Sequence, residues 1–561
     1  MVTVAELIGA QARRAGTGLL GPGGVRYRHA ETAAAAASRA ALFRRRHRPG
    51  MEPHIGILAD NTAEFVFWLE AAALAGAALV GVNPTRRGAE LARDIRHAEC
   101  EVLVTSRSYL PLLAGIGLGG GAGGGRGGGC GGSSGGGALP LLVVDDPDYA
   151  EALAPFRGVG PEDVDPVAPI TDETRMLLYF TSGSTGAPKA VTCVQGRLAA
   201  SGAAMAERFA LTASDVCYIP MPMFHGNAVL ANWGPALVAG AAVALRDRFS
   251  ASGFLPDVRA YQATYFTYVG RAVSYILATP EHPDDARNTL RAGFGTEAGP
   301  VDRDRFERRF GCPLSEGYGA SEGGINIVAP RTFPAAVLAR GTAVGRTDPT
   351  LSVLDTETGA PCPPGAFDPA GRLLNGAAAI GELVRTGPGA FTGYWKNPEA
   401  DAERFTEGRY HSGDLFYADS AGWLYFAARK ADRMRVDGEN LSVALLEAIL
   451  ARWEPVSGVA AYAVPDEVSG DAVMCSLVLN QGAGFDPRAF ADFLTAQADL
   501  GTKMAPRFVR VTDTLITTAT EKISRYALRE QGWWDVGEDV VWTRAGRELV
   551  YEVLGVGRAA Q

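Results

Sequence analysis

Lysine is almost missing from this chain: it occurs only at 189, 396, 430, 503 and 522, so 48 of the 53 basic residues are arginine. Arginine stays protonated and presents a planar fork, so each remaining lysine is a candidate for chemistry that needs a compact ammonium. Cysteine pairing is missing too. The seven cysteines, at 100, 130, 193, 217, 312, 362 and 475, form no CxxC pair, which excludes a zinc site of that type and a secreted disulfide framework and leaves reduced core thiols. There is no long apolar run: the nearest, Phe65 to Val82, is interrupted by Glu70 and rich in alanine, and reads as a buried helix. The start, MVTVAELIGAQARRAG, has no charged segment followed by an apolar block and a cleavage site, so the expectation is a cytoplasmic protein. A net charge of -9 without a basic stripe argues against nucleic acid as partner.

What remains is a globular chain of 561 residues, 47% hydrophobic and 20% charged, long enough for more than one domain. Its most telling stretch is Tyr179 to Ala190, YFTSGSTGAPKA. Thr181, Ser182, Ser184 and Thr185 offer hydroxyls, Gly183 and Gly186 let backbone amides approach an anion, and Lys189 adds a point charge. The order is not that of a Walker loop, because Pro188 precedes the lysine and Ala190 follows it. Arg175 to Phe180 and Ala190 to Val194 read as short buried strands, so the loop joins strand to strand. Read alone, the stretch serves equally well as a Ser/Gly turn.

Residues 1 to 110 alternate alanine-rich helical patterns with short apolar runs, as in parallel α/β structure. Gly115 to Gly137 is nearly all glycine and reads as a flexible loop before a strand at Leu141 to Val144. His225, in CYIPMPMFHGNAVLANW, suits the lining of a pocket, although a lone histidine is more often structural. Leu290 to Pro300 and Cys312 to Gly324 each end a strand in small residues, where open α/β sheets bind ligands. In the second, Tyr318 offers a flat face for a purine, Ser321 a hydroxyl, and Glu322 a hard oxygen ligand for Mg2+. GELVRTGPGAFTGYWKNP leads into YHSGD, where Asp414 can accept from ribose hydroxyls, and Arg429 can donate to ribose or phosphate. Salt bridging would explain either residue as well. Beyond 430 the texture turns to short α+β units, and Lys522 precedes an amphipathic helix on a loop of that smaller segment.

TSGSTGAPK, YGASE, YHSGD, ARKADRMRVDGEN and TATEKISR, in this order and spacing, resemble the adenylate-forming superfamily, and the chain resembles an acyl-CoA synthetase over nearly its whole length. VDGEN, with GYWKNP upstream, is most similar to the fatty-acid transport protein and actinobacterial fatty-acid or steroid-acid ligase branch. The resemblance implies an α/β fold: a large N-terminal domain of mixed sheets packed with helices, residues 1–430, and a small mobile α+β domain, residues 431–561. It implies ATP, Mg2+ and CoA. A hydrophobic acid, long-chain or polycyclic, would attack the α-phosphorus of ATP, and the CoA thiol would then displace AMP. By this similarity Thr181, Ser182, Gly183, Ser184, Thr185, Gly186 and Lys189 cradle phosphates. Gly295, Thr296, Glu297, Tyr318, Gly319 and Ser321 border the nucleotide, Asp414 and Arg429 hold ribose, and Glu322 binds the metal. His225, Asn227, Tyr268 and Gly438 line the acyl and pantetheine path, and Lys522 bridges carboxylate and α-phosphate. The position two after Arg429, a hinge aspartate or lysine in the wider superfamily, is Ala431. Glu521 stands where many relatives have glycine, which opens the alternative of an enzyme that mainly thioesterifies a pre-formed acyl-adenylate; a separate alternative is one that acylates a carrier protein. The oligomeric state stays open, a homodimer included.

Overall fold

Short apolar runs become central strands when both of their faces are covered. In the computed structural model the strands His54–Leu58, Ala78–Gly81 and Val102–Thr105 are buried along their whole length. The structure describes residues 2–117, 139–181, 189–330, 333–341, 343–432, 434–436, 439–466, 470–497, 500–501, 503–517, 523–546 and 548–554. It falls into two units, residues 1–314 with 390–401, and residues 315–389 with 402–561.

The first unit holds two mixed sheets. In one the order is Leu141–Val143, Val102–Thr105, His54–Leu58, Ala78–Gly81, Arg175–Thr181, Lys189–Val194. All neighbours are parallel except the last pair, an antiparallel hairpin around the Ser/Gly loop, as the flanking apolar runs imply. In the other sheet Val25–Arg28 pairs antiparallel with Thr17–Gly21, and Ala242–Leu245, Val216–Ile219, Tyr265–Val269 and Ala292–Thr296 follow in parallel. Helices Val4–Ala12, His29–Arg46, Ala63–Ala75, Gln195–Arg208 and Gly234–Ala239 pack into one apolar core with these sheets. The run from Phe65 to Val82 is a helix and a strand rather than one helix. Gly76, at φ 66°, takes the left-handed conformation that ends Ala63–Ala75 and turns the chain into Ala78–Gly81. Among the described residues no helix is long and apolar enough to cross a membrane.

The second unit carries an antiparallel sheet in the order Ala343–Arg346, Trp423–Arg429, Arg409–Ala418, Gly381–Thr386, Leu351–Leu354. It also carries the antiparallel pairing of Leu314–Gly319 with Asn326–Val328. Its C-terminal part is α+β. Gly470–Leu479 runs antiparallel to Val456–Asp466 and parallel to Phe508–Val511, with helices Val443–Leu450, Pro487–Ala496 and Arg525–Gln531. The tail, which carries no motif, adds two strands: Val540–Arg544 on Phe508–Val511, and Tyr551–Val553 on Val540–Arg544. The class is therefore α/β, a large N-terminal part of mixed sheets and helices followed by a smaller α+β part.

The described cysteines carry no disulfide, and all but Cys362 are buried. Burial pushes the thiols of Cys100 and Cys312 up to about 12. Cys130 lies outside the described residues.

Candidate active site

In the first unit the strands on either side of the Ser/Gly stretch are tied together at Thr181 and Lys189. Thr181 and Lys189 face each other across the hairpin, and the Thr181 hydroxyl donates to the Lys189 carbonyl at 3.4 Å. The ammonium of Lys189, only 8% exposed, lies 5.6 Å from the centre of the Tyr394 ring. Ser182, Gly183, Ser184, Thr185 and Gly186 lie outside the described residues.

Tyr394 comes from GYWKNP, which straps the free edge of Lys189–Val194. Val191 pairs with Tyr394, the Trp395 amide donates to the Ala190 carbonyl at 2.8 Å, and the Thr192 amide donates to the Gly393 carbonyl at 3.1 Å. Trp395 anchors the strap. Its indole donates to the His97 carbonyl at 3.0 Å, its ring meets that of His54 edge-on at 4.8 Å, and the Arg175 guanidinium stacks on it at 4.3 Å.

His225 occupies the N-cap position of the short helix Gly226–Ala228, which runs on into a π-helical turn, Val229–Trp233. Two close approaches hold this segment over the strand ends. A side chain at Gly81 would lie 2.7 Å from the Phe224 carbonyl oxygen, and one at Gly226 would meet the Tyr179 ring at 3.4 Å. These contacts set the residues on either side of His225 against Gly81 and Tyr179. The Asn227 amide donates to the Tyr268 carbonyl at 3.4 Å, and its Oδ1 is buried with no hydrogen-bond partner among the described residues. The Tyr268 ring packs into a second core with Phe266 and Phe306. Gly295 is its register partner, and a Cβ there would lie 2.4 Å from the Tyr268 carbonyl oxygen. Thr296 closes the strand opposite Val269, and Glu297 takes φ 71°, a left-handed conformation that strains a glutamate.

In the second unit the nucleotide candidates converge. The Tyr318 hydroxyl donates to Asp414 Oδ2 at 2.7 Å, and the Tyr318 ring packs edge-on against Phe416 at 4.8 Å. Burial raises the Asp414 carboxyl above its usual range; Arg429, its cross-strand partner, opposes the rise, as do the Tyr318 hydrogen bond and Arg404. Burial and the neighbouring Asp414 carboxylate push the Tyr318 hydroxyl far above 10, so it stays a donor. Glu322, 5% exposed, has Arg404 Nη2 at 3.8 Å, and Arg404 Nη1 donates to the Ser412 carbonyl at 2.6 Å. The Glu322 carboxylate is thereby tied to the turn that carries Asp414. Ser321 and Gly319 lie in the turn that ends Leu314–Gly319, ahead of Glu322. No group of three His, Cys, Asp or Glu side chains placed to hold a metal occurs among the described residues. Gly438, Glu521 and Lys522 lie outside the described residues.

The sequence reading missed Arg404, Tyr394 and Glu382. GYWKNP and GELVR, which hold the last two, stand out as motifs, but nothing local says that one straps a hairpin some 200 residues earlier in the chain or that the other sits beneath the YHSGD turn.

A model of the AMP-binding enzyme family matches residues 10–395, and one of the AMP-binding enzyme C-terminal domain matches residues 445–522. The chain belongs to the AMP-binding enzyme family. This AMP-binding enzyme is 47% identical over 481 residues, 86% of its length and 82% of the relative's, to steroid-22-oyl-CoA synthetase of Rhodococcus jostii. It is 43% identical over 494 residues, 88% of its length and 89% of the relative's, to a medium/long-chain-fatty-acid–CoA ligase of Mycobacterium tuberculosis. Its fold is similar to that of ATP-bound MatB from Rhodopseudomonas palustris, with TM-score 0.78, 21% identity, and 94% of this chain and 99% of the other covered.

Proposed function

We propose that the protein is an AMP-forming carboxylic acid:CoA ligase that activates a hydrophobic acid, long-chain or polycyclic, with ATP and passes the acyl group to CoA. Within the chain the reading rests on one observation: Asp414 is bracketed by the Tyr318 hydroxyl and Arg429, with Glu322 tied to the same turn through Arg404. It agrees with relatives named as steroid-22-oyl-CoA synthetase and fatty-acid–CoA ligase. That agreement does not favour a thioesterifying enzyme without adenylation, or one that acylates a carrier protein.

In the first half-reaction a carboxylate oxygen bonds to the α-phosphorus as the bond to pyrophosphate breaks. Asp414 accepts from the ribose hydroxyls and Arg429 donates beside it, while Lys189, held under Tyr394, lends charge to the outgoing phosphates with the hydroxyls and amides of the loop. Lys522 stabilises the charge developing between carboxylate and α-phosphate. In the second, the CoA sulfur bonds to the acyl carbon and AMP leaves with the electron pair of the broken C–O bond. His225 and Asn227 border that acyl carbon, Tyr268 backs them, and Gly438 borders the pantetheine arm, carried with Lys522 on a mobile domain of residues 431–561.

A buried carboxylate suits Mg2+, which takes one or two carboxylates together with substrate phosphates rather than an all-protein cage. Glu322 fits that requirement, and the ion would neutralise phosphate charge there. The reading places the enzyme in the cytoplasm.

The test is acid-dependent ATP–pyrophosphate exchange together with CoA consumption, across fatty, aromatic and steroid acids. No exchange with any of them would sink the proposal. Lys522→Ala should lower the exchange rate by about 10²–10³ while acyl transfer from a supplied acyl-adenylate falls far less. Equal losses in both would remove Lys522 from its assigned role.

A further inference from the structure

Asp414 sits in an irregularity of its sheet. Between Gly381–Thr386 and Arg409–Ala418 the register passes from Glu382 opposite Leu415 to Val384 opposite His411, so the longer strand bulges outward at Ser412, Gly413 and Asp414. Gly413 takes φ 74°, a left-handed conformation that glycine accepts readily. A bulge strips ladder partners from the amides inside it. Here side chains replace them: Glu382, 5% exposed, accepts from the Gly413 amide at 2.9 Å through Oε1, and Ser412 Oγ accepts from the Asp414 amide at 3.1 Å. The other Glu382 oxygen, Oε2, accepts from the Lys430 ammonium at 3.0 Å and lies 3.3 Å from His411 Nδ1, which donates when that nitrogen carries the proton.

The two ends of this arrangement flank the two groups that would hold ribose. Gly413 immediately precedes Asp414, and Lys430 immediately follows Arg429. Asp414 and Arg429 themselves face each other across the next strand pair. We propose that Glu382 is a positioning residue for nucleotide recognition: its buried carboxylate sets the spacing of Asp414 and Arg429 by holding the Gly413 amide and the Lys430 ammonium at once. Burial alone would raise the Glu382 carboxyl; Lys430, the Gly413 amide and His411 outweigh it and hold the group below its usual range, so the carboxylate stays charged for both partners. Lys430 is half-exposed and touches Glu382 from the solvent side, so its link can be cut without opening the core.

The inference rests on the ribose reading of Asp414 and Arg429 and is tested apart from catalysis, by calorimetric binding of AMP to the full-length protein. Glu382→Ala should weaken AMP at least about tenfold, since it removes hydrogen bonds to a buried charged group. Glu382→Gln, which keeps an acceptor for the Gly413 amide, should fall between it and the parent. Lys430→Met should weaken AMP about threefold, and Lys430→Arg should restore most of the loss. In pyrophosphate exchange the ATP KM should rise in the same order with kcat changed less than about threefold, while in the complete ligation the KM for CoA should be unmoved. Unchanged AMP affinity in Glu382→Gln and Lys430→Met would overturn the proposal. So would a loss spread equally over kcat and every KM with a lowered melting temperature, which marks a merely structural residue. If Glu382→Ala does not fold, the Gln, Met and Arg variants decide. A parent protein that binds AMP but shows no acid-dependent exchange would defeat the ligase reading and leave this one standing.

Discussion

Glu70 lies in the apolar helix Ala63–Ala75 and is 6% exposed, bordering a cavity of about 30 Å³ lined by Gln11, His29, Thr32 and Trp233. Burial raises its carboxyl from 4.5 to about 8, and the Trp233 indole opposes the rise by donating to it. Trp233 ends the π-helical turn that follows His225 and Asn227, so this proton sits under the wall of the proposed acyl pocket. Between pH 4.5 and about 8 the folded protein holds a proton that the unfolded chain has released, so stability falls as pH rises through that window and the contribution is gone above it. Glu70→Gln has no such slope. Its melting temperature should rise relative to the parent between about pH 6 and about pH 9, and two parallel curves would show that Glu70 is not held neutral. At this scale the sequence is legible where a residue type is rare or chemically singular. Lys189 stands out in an arginine-rich chain, and Glu322 and Asp414 stand in short motifs. Arg404 and Glu382 are ordinary residues by type, and only the fold puts one beside Glu322 and the other beneath the bulge.

The strap that carries Tyr394 and Trp395 closes the edge of the Lys189–Val194 strand and positions the ring over the Lys189 ammonium. Trp395, 7% exposed, is its anchor. Trp395→Ala should cost about 3–5 kcal/mol by the cavity it leaves, read as a lowered denaturant midpoint. The exchange reaction should lose ATP affinity at the same time, because Tyr394 no longer has a fixed neighbour. A full-strength ATP KM in a destabilised variant would separate the strap from the phosphate site. Strands such as His54–Leu58 and the hairpin around the loop are legible because burial on both faces writes itself as an apolar run. The strap is not, because its partners lie in a distant part of the chain and its own residues are small, polar and aromatic without a period. The break of Phe65–Val82 at Gly76 was open to reading from a single glycine, but the apolar run on both sides concealed it.

Across the whole molecule the order of motifs marks an α/β body followed by a smaller α+β part. The tail had no such marker. Its strands, Val540–Arg544 and Tyr551–Val553, cover the edge of Phe508–Val511. Arg510, 6% exposed, donates to Asp539 at 2.6 Å and to Gln531 at 2.7 Å, and Tyr551 packs in the core around Trp453 and Phe490. A chain ending at Gly532 should expose that strand edge, melt several degrees lower and associate on size-exclusion chromatography. Unchanged melting and a monodisperse peak would show the tail to be dispensable. The depth of the proposed acyl pocket was not legible, since it depends on how Asn227, Trp233 and Tyr268 are placed on separate elements.

The sequestered thiols bear on how such a protein lives with its own product. A thioester loses its acyl group to thiolates, not to thiols. With Cys100 and Cys312 buried and their thiols pushed up to about 12, neither competes with coenzyme A for the acyl group or drains it from the finished thioester. Buried in the same way, those two residues should be silent toward a thiol-reactive dye on the native protein, so a colorimetric reading of free coenzyme A has Cys362, half-exposed, to allow for in the blank along with Cys130, which lies outside the described residues.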